Sequence, residues 1–202
     1  MLLPRLLTGI LIALFSTGSV MADEIVDRGK AAADLAANGK FLDAIEAANG
    51  VESLLWDRAP LTFRTALWVS EPPENFGAYN PRKTNEYASG EEMLAYAEPV
   101  GFGWRKSGEV WQTDFAADVL IKDKDGKDIF SQKEFQKFAL TSHVRNHEVM
   151  TRFTVTVTGV PAGNYTVEIT LRDAISGKSG SFSLPFVVSN NGSITLRAAD
   201  RV

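Results

Sequence analysis

The stretch GVPAGNYTVEITLRDAISGKSGSFSLPFVV, at residues 159–188, decides the fold class. Apolar and polar residues alternate along it in two runs, which a glycine-rich turn around Gly177 separates. Alternation with a period of two places one set of side chains on one face of a β-strand. The stretch therefore predicts two strands, each with one buried face and one face in water. The predicted buried residues are Tyr165, Val167, Ile169 and Leu171, followed by Phe182, Leu184, Phe186 and Val188.

The same period recurs upstream of this stretch. Between two of these segments, Asp125 and Gly126 suit a hairpin turn because both residue types tolerate a positive φ. About seven short strands separated by turn signals predict a β-sandwich. The upstream strand candidates are residues 61–69, 93–98, 115–121, 129–130, 135–140 and 149–157.

Residues 23–58 have a different pattern, with apolar residues at helical spacing on both sides of a stop signal at Asn38-Gly39. Asn49-Gly50 is a second candidate break. The segment NGKFLDAIEAA resembles the turn and second helix of a tetratricopeptide-like hairpin, but repeats of that kind need about three copies for stability. We expect a short helical hairpin that packs on the following domain. A linker helix pair used for assembly is the alternative.

The first 22 residues, MLLPRLLTGILIALFSTGSVMA, have the pattern of a secretory signal. Arg5 precedes an apolar run, and the small residues Val20 and Ala22 stand where signal peptidase requires short side chains. The apolar run is shorter than the ~20 residues that a membrane span needs. The sequence therefore predicts cleavage before Asp23, a periplasmic or secreted protein, and no membrane span after cleavage.

Composition narrows the function further. The chain has no cysteine, which excludes disulfides, thiol nucleophiles and cysteine-based metal sites. Loss of Arg5 with the signal takes the net charge from −4 to −5, and a mildly acidic chain without a basic face is not expected to bind nucleic acid. The predicted organisation is a signal peptide at 1–22, a helical hairpin at 23–58, a sandwich at 59–188 and a C-terminal tail at 189–202.

Residues 159–188 resemble the last hairpin of immunoglobulin-like sandwiches in exported bacterial proteins. In those proteins a small-Gly-x-Tyr corner opens the penultimate strand, an Asp ends it, and a glycine-rich turn leads to the last strand. The resemblance implies a mainly β fold, an immunoglobulin-like β-sandwich preceded by the short helical hairpin, and implies no activity. It also implies that the Tyr165 ring lies in the core with its hydroxyl bonded to backbone. The matching residues are Pro161, Gly163, Tyr165, Asp173 and Gly177.

A second stretch, FGAYNPRKTNEYASGEEMLAYAEPVGFG, resembles a family of exported bacterial proteins. In that family a Phe-Gly-x-Tyr-x-Pro-Arg segment is followed by a Gly-Glu step into a strand that ends Glu-Pro-x-Gly. The two resemblances together cover most of residues 63–188, and they bear on the fold rather than on chemistry.

Catalytic and metal motifs are incomplete. His143 and His147 are four residues apart, but the metalloprotease pattern needs a glutamate directly after the first histidine, and Glu148 follows the second. In the charged segment DKDGKDIFSQKE, Lys127 and Asp128 occupy the positions where a calcium loop has an oxygen ligand and a glycine. We therefore predict no catalytic residues, no metal ligands and no cofactor, and regard an enzyme as the third choice.

The candidate binding surface has two parts. Residues 71–90 form a connection too long for a routine turn, and its aromatic residues predict that it packs on the sandwich. Covering an open sheet end is the alternative role for these residues. In the segment AEPVGFGWRKSGEVW, at residues 97–111, Pro99 should end a strand near Glu98, and two glycines should permit a bend. The candidate binding residues are Phe76, Tyr79, Arg82, Trp104 and Trp111.

Two function classes follow from these residues. The first is a non-catalytic exported protein that binds an envelope or extracellular protein, or mediates assembly. The alternative is a carbohydrate-binding module or sugar-processing accessory that stacks sugars on exposed aromatic rings. Both need exposed aromatic side chains, and we expect at least one of Trp104 and Trp111 to be largely exposed.

Overall fold

A computed structural model describes residues 17–189 and 193–196, with side chains from residue 21 to residue 189. The chain forms two compact units that meet between Leu54 and Leu55. This division falls earlier than the predicted boundary at residues 58–59, so the last helical turn, residues 55–58, belongs to the second unit.

The first unit contains two helices, α1 at Thr17–Ala37 and α2 at Phe41–Arg58, the last turn of which continues into the second unit. The predicted stop at Asn38-Gly39 is confirmed, because Gly39 has a φ of 74° and its amide donates to the carbonyl of Ala36 at 3.0 Å. The candidate break at Asn49-Gly50 is wrong, since α2 continues through it. The apolar face continues in phase, with Ala47 and Val51 partly buried on either side.

The predicted signal at residues 1–22 lies mostly outside the described residues, and its cleavage stays a prediction. Within the described part of the chain, neither helix combines the length and apolar character that crossing a bilayer requires.

The second unit is built from β-strands in two sheets. One has the order β1-β3-β7-β10, and the other has the order β2-β9-β8-β5-β4 with β6 also paired to β5. The fold is mainly β, with two helices followed by two sheets, which is consistent with the predicted sandwich. The strands are β1 Thr62–Val69, β2 Glu86–Tyr87, β3 Glu92–Val100, β4 Arg105–Ser107, β5 Val110–Asp123, β6 Asp128–Ser142, β7 Thr151–Gly159, β8 Gly163–Asp173, β9 Ser179–Val188 and β10 Ser193–Leu196.

A single core cluster contains residues from both sheets. Many of its members are the apolar residues of the alternating pattern predicted from the sequence. On β8, Val167, Ile169 and Leu171 are buried while their neighbours are partly exposed. Strands β5 and β7 contribute in the same way, for example through Ile121 and Phe153. Burial of one such side chain stabilises the fold by about 1.5–3 kcal/mol, so this shared core holds together a chain without disulfides.

Tyr165 lies where the sequence predicts it, at the start of β8. Its buried ring stacks on Phe186 at a centroid distance of 5.5 Å, and its hydroxyl donates to the carbonyl of Pro161 at 2.7 Å. The ring therefore fixes the corner between β7 and β8 to the core.

Strand β3 runs past Pro99, and the prediction that it ends near Glu98 is wrong. Pro99 is paired with Phe63 of β1, whereas the pairing with β7 stops at Ala97. The pairing with β7 has ended before Pro99, so the proline lies where the strand has a neighbour on one side, which is the position that a strand proline tolerates.

Strand β6 is one continuous strand rather than two short ones. It follows the predicted hairpin turn, where Gly126 has a φ of 78°, and it contains an irregularity at Glu134, which has a φ of 50°. There the Glu134 amide donates to Asp118 Oδ1 at 2.8 Å, and Arg172 bonds the same carboxylate at 2.9 and 3.0 Å. The irregularity explains why the apolar pattern of residues 128–142 has two phases.

The predicted tail at residues 189–202 includes β10, which pairs antiparallel with β7. Residues 190–192 and 197–202 of this prediction lie outside the described residues.

Candidate functional site

The two parts of the predicted binding surface lie at opposite ends of a strand pair. Strands β1 and β3 are antiparallel, with Val69 opposite Leu94 at one end and Thr62 opposite Val100 at the other. Residues 71–90 leave the first end, and the connection that carries Trp104 leaves the second. The structure therefore does not bring the predicted residues together into one surface.

Trp104 is a core residue, and the expectation of a largely exposed tryptophan is wrong. Its side chain is 9% exposed, its ring lies 5.8 Å from that of Phe102, and its Nε1–H donates to the carbonyl of Asn146 at 3.1 Å. Trp111 is partly buried, with Lys106 Nζ 5.8 Å and Arg145 Cζ 5.6 Å from its ring centroid. A buried indole needs a hydrogen-bond acceptor for its N–H, and the carbonyl of Asn146 is that acceptor for Trp104.

The last turn of α2 fills the same end of the β unit. Trp56 is buried, donates its Nε1–H to the carbonyl of Phe102 at 2.8 Å, and stacks on His147 at 4.2 Å. His147 is therefore packed against an aromatic ring. Among the described residues, no three His, Cys, Asp or Glu side chains are grouped as a metal site.

Two charged residues tie this end together. Asp173, which is buried, accepts hydrogen bonds from the amides of Gly103 at 2.6 Å and Ile175 at 2.8 Å, and from the hydroxyl of Ser176. Its carboxylate thus joins the turn after β8 to the connection after β3. We call this arrangement the Asp173 clamp.

Lys178 completes the closure from the same turn. Its ammonium donates to the carbonyls of Asp57 at 2.9 Å, Ala59 at 2.8 Å and Gly101 at 2.7 Å. The predicted glycine bend is confirmed at Gly101, which has a φ of 81° and where a Cβ would overlap the carbonyl of Pro60. These hydrogen bonds close the connections over Trp56 and Trp104 at this end. Beside them lies a depression whose lining includes Asp114, Lys137, Arg172 and Lys178.

The connection at residues 71–90 is packed against the β unit, as predicted. Within it, β2 pairs in parallel with β9, and Pro81 forms an isolated bridge with Val69. Tyr87 is buried, with its ring 5.6 Å from that of Trp68. A long connection held by this many contacts has a defined surface.

Arg82 holds the connection in place. Its guanidinium pairs with Glu91 at 2.7 Å, donates to the carbonyl of Glu86 at 2.8 Å, and lies 4.1 Å from the ring centroid of Tyr87. Its charge is therefore used within the protein. We reassign Arg82 from a ligand-binding residue to a positioning residue.

Tyr96 and Glu98, which sequence reasoning missed, are the β3 residues on which this connection packs. We call this pair the seat. Tyr96 lies on the outer face of β3, because its neighbours Ala95 and Ala97 belong to the core. Its hydroxyl donates to Glu98 Oε1 at 2.7 Å and accepts from the amide of Gly77 at 2.8 Å. The available signal was an aromatic residue in the water-facing phase of a strand.

Tyr79 lies over this seat, with its ring centroid 4.3 Å from that of Tyr96. It is partly exposed, and it borders a shallow depression formed by the connection itself. Glu71 lies in the depression and accepts a hydrogen bond from the amide of Asn80. The lining residues are Glu71, Pro72, Glu74, Gly77, Ala78, Tyr79 and Asn80.

Phe76 is also partly exposed and lies beside this depression in sequence, with the Arg64 guanidinium 5.7 Å from its ring centroid. Phe76 and Tyr79, together with the depression, are here called the loop surface. It offers ring faces, two carboxylates and amide groups. Such groups bind by stacking, ion pairing and hydrogen bonding.

The seat predicts a pH dependence. Burial raises the pKa of the Tyr96 phenol, and its hydrogen bond to Glu98 raises it further. Burial likewise raises the pKa of Tyr87. A phenol with a raised folded-state pKa stabilises the fold fully below its unfolded pKa of about 10, and this contribution is lost as the pH rises above it.

We therefore expect the free energy of unfolding to fall above about pH 10. In an absorbance titration, Tyr87 and Tyr96 should form phenolate only as the protein unfolds. Tyr96→Phe serves as the control, because it removes one of the buried phenols. Reversible ionisation of all tyrosines in a fully folded protein would contradict the burial of Tyr87 and Tyr96.

Among known proteins, no family model and no curated protein sequence matches this chain.

Proposed function

We propose that this chain is a non-catalytic, exported binding protein of the cell envelope. Its β unit is an immunoglobulin-like sandwich, and its partner binds at the loop surface. The observation that carries the proposal is a twenty-residue connection built onto the sheet by Tyr87, Tyr96 and Arg82, with Phe76 and Tyr79 partly exposed.

The strand arrangement supports the immunoglobulin-like type. Strands β1, β3 and β7 are neighbours in one sheet, while β9, β8 and β5 are neighbours in the other and β6 borders β5. An immunoglobulin-like domain divides its strands between two sheets in this way. The hydrogen bond from Tyr165 to Pro161, at the start of β8, has the pattern of a tyrosine corner. In an immunoglobulin-like domain that corner lies near the start of strand F, whose place β8 would take.

The chemistry of the loop surface supports a protein partner with a basic segment. Aromatic residues are enriched at protein interfaces, and Glu71 and Glu74 add negative charge where the partner would contact Tyr79. Long ordered connections on a rigid scaffold are a common location for binding residues. Binding of this kind should weaken as salt concentration rises.

A carbohydrate is the second candidate. A partly exposed tyrosine ring beside Glu71 and Asn80 provides one stacking face together with hydrogen-bond acceptors and donors. Polysaccharide pull-down with the purified protein separates the two candidates. Retention on a polysaccharide that is lost in Tyr79→Ala would favour the sugar.

Tyr79→Ala is expected to abolish partner capture while lowering the free energy of unfolding by about 1–2 kcal/mol, since the pair with Tyr96 adds to the burial of a partly exposed ring. The measurement is co-purification from an envelope fraction, together with thermal melting. Trp111→Ala is the matched control, because it removes a partly buried aromatic residue at the opposite end. Capture that survives Tyr79→Ala and fails in Trp111→Ala would move the binding site to that end.

A further inference from the structure

The helical hairpin carries an exposed apolar face. Phe41 is 66% exposed, Ile45 57% and Val26 65%. Two helices alone cannot bury both sides of their apolar pattern, which is why hairpins of this kind normally stack on a further helical element. The face is independent of the loop surface, since it lies in the first unit.

Two parallel stripes form this face. On α2 the large residues Phe41 and Ile45 are followed by exposed Ala48, and on α1 an exposed stripe of Val26, Gly29 and Ala33 is mostly small. On each helix, the stripe lies about 100° around the helix axis from the residues that pack against the other helix. Viewed along the chain from N- to C-terminus, the direction of this rotation is the same for both helices. In an antiparallel hairpin, rotation in the same sense places both stripes on one side of the molecule.

Opposite this face, the Arg28 guanidinium approaches the carbonyl of Gly50 at 3.4 Å. The two sides of the hairpin therefore differ in character, with a polar contact between the helices on one side and large and small apolar stripes on the other.

Gly29 marks the small stripe. It lies within α1, it is exposed, and no atom lies within 4 Å of where its Cβ would be. A glycine inside a helix costs about 1 kcal/mol relative to alanine. Nothing within the described chain compensates for that cost by approaching Gly29 closely.

We propose that this face pairs with the same face of a second copy of this chain, giving an antiparallel four-helix bundle. A two-fold axis parallel to the helices places the small stripe of α1 against the large stripe of the partner's α2, and the reverse. Large side chains then meet small ones at both contacts, so the face is complementary to itself.

The size of the face fits a weak dimer interface. In the first unit α2 runs over residues 41–54 and is about 21 Å long, so two helices about 9 Å apart present a face of roughly 400 Å². The two copies together would bury roughly 800 Å², the size of a weak interface, so the dimer should dissociate on dilution.

Charge is also complementary in this arrangement. Glu52 continues the large stripe of α2, and Lys30 lies at the edge of the small stripe of α1. Antiparallel pairing places Lys30 within about one helical turn of the partner's Glu52, within the reach of a lysine side chain. Lys30 forms an exposed ion pair with Asp34 of its own helix at 3.0 Å, and exposed pairs of this kind are weak enough to be exchanged for the partner's Glu52.

The test is the molar mass of the full purified chain, measured by sedimentation and light scattering across a dilution series. We expect a dimer that Gly29→Gln weakens at least tenfold in dissociation constant. Glutamine at this position enters open space and is a better helix former than glycine, so the variant should fold. Ala31→Gln, on an exposed position outside the stripe, is the matched control and should leave the dimer unchanged.

Charge reversal tests the pairing itself. Lys30→Glu and Glu52→Lys should each raise the dissociation constant, and the double variant should recover most of the loss. A monomeric wild-type chain at high concentration would overturn the proposal. A dimer that Gly29→Gln leaves intact would also overturn it. So would a double variant whose dissociation constant rises by the product of the two single-variant increases.

Discussion

Replacing Trp104 with alanine is expected to lower the free energy of unfolding by about 3–5 kcal/mol, the usual cost of truncating a buried aromatic side chain. The indole is buried, packs on Phe102 and bonds Asn146, so its loss leaves both a cavity and an unpaired carbonyl. Denaturant unfolding monitored by circular dichroism measures the change.

Trp111→Ala is the comparison, because its ring is only partly buried and should cost less. A cost below about 1 kcal/mol for Trp104→Ala is typical of surface positions and would show that the indole is not part of the core. In that case the opposite end of the β unit would again be a candidate binding surface.

Asp173→Ala is the second substitution with a large expected effect, a loss of about 3 kcal/mol or more. The carboxylate accepts from two backbone amides and one hydroxyl, and hydrogen bonds to charged groups are worth about 1.5–3 kcal/mol each. Without it, the partly buried amides of Gly103 and Ile175 lose their acceptor. Unfolding by denaturant at neutral pH is the measurement.

Asp173→Asn separates charge from geometry, since the amide keeps one acceptor oxygen but cannot serve all three donors. It should lie between wild type and Asp173→Ala. Equal stability of all three proteins would contradict the role given to the Asp173 clamp. Lys178→Met removes the complementary donor and is expected to destabilise the same end.

Periodicity predicted the strands well, because each strand buries one face and the sequence records this as strict alternation. The alternation of residues 165–171 appears unchanged in the burial pattern of β8. Where a strand contains an irregularity, the alternation changes phase and no longer shows that the strand is continuous. Residues 128–142 read as two strands because the irregularity at Glu134 shifts the phase within a single strand.

The candidate site was only partly predictable. The length and aromatic content of residues 71–90 indicated a packed connection, and the structure confirms that packing. A connection has no repeating period, however, so the sequence does not show whether a given aromatic residue faces water. Trp104 and Tyr79 look equivalent in sequence, but one fills the core and the other is partly exposed.

The Asp173 clamp and the seat could not be predicted because their partners are distant in sequence. Asp173 bonds Gly103 across seventy residues, and Lys178 bonds Asp57 across more than one hundred. Tyr96 is buried only because residues 71–90 fold over it, which strand periodicity alone does not indicate.

On the proposed function, the loop surface, and not the opposite end of the β unit, contacts the partner. Site-specific photo-crosslinking in intact cells tests it most directly, with the crosslinking residue placed at position 76 or, for comparison, at exposed position 106. We expect one discrete adduct from position 76 that Tyr79→Ala abolishes, and none from position 106. An adduct from position 106 alone, unaffected by Tyr79→Ala, would contradict the account.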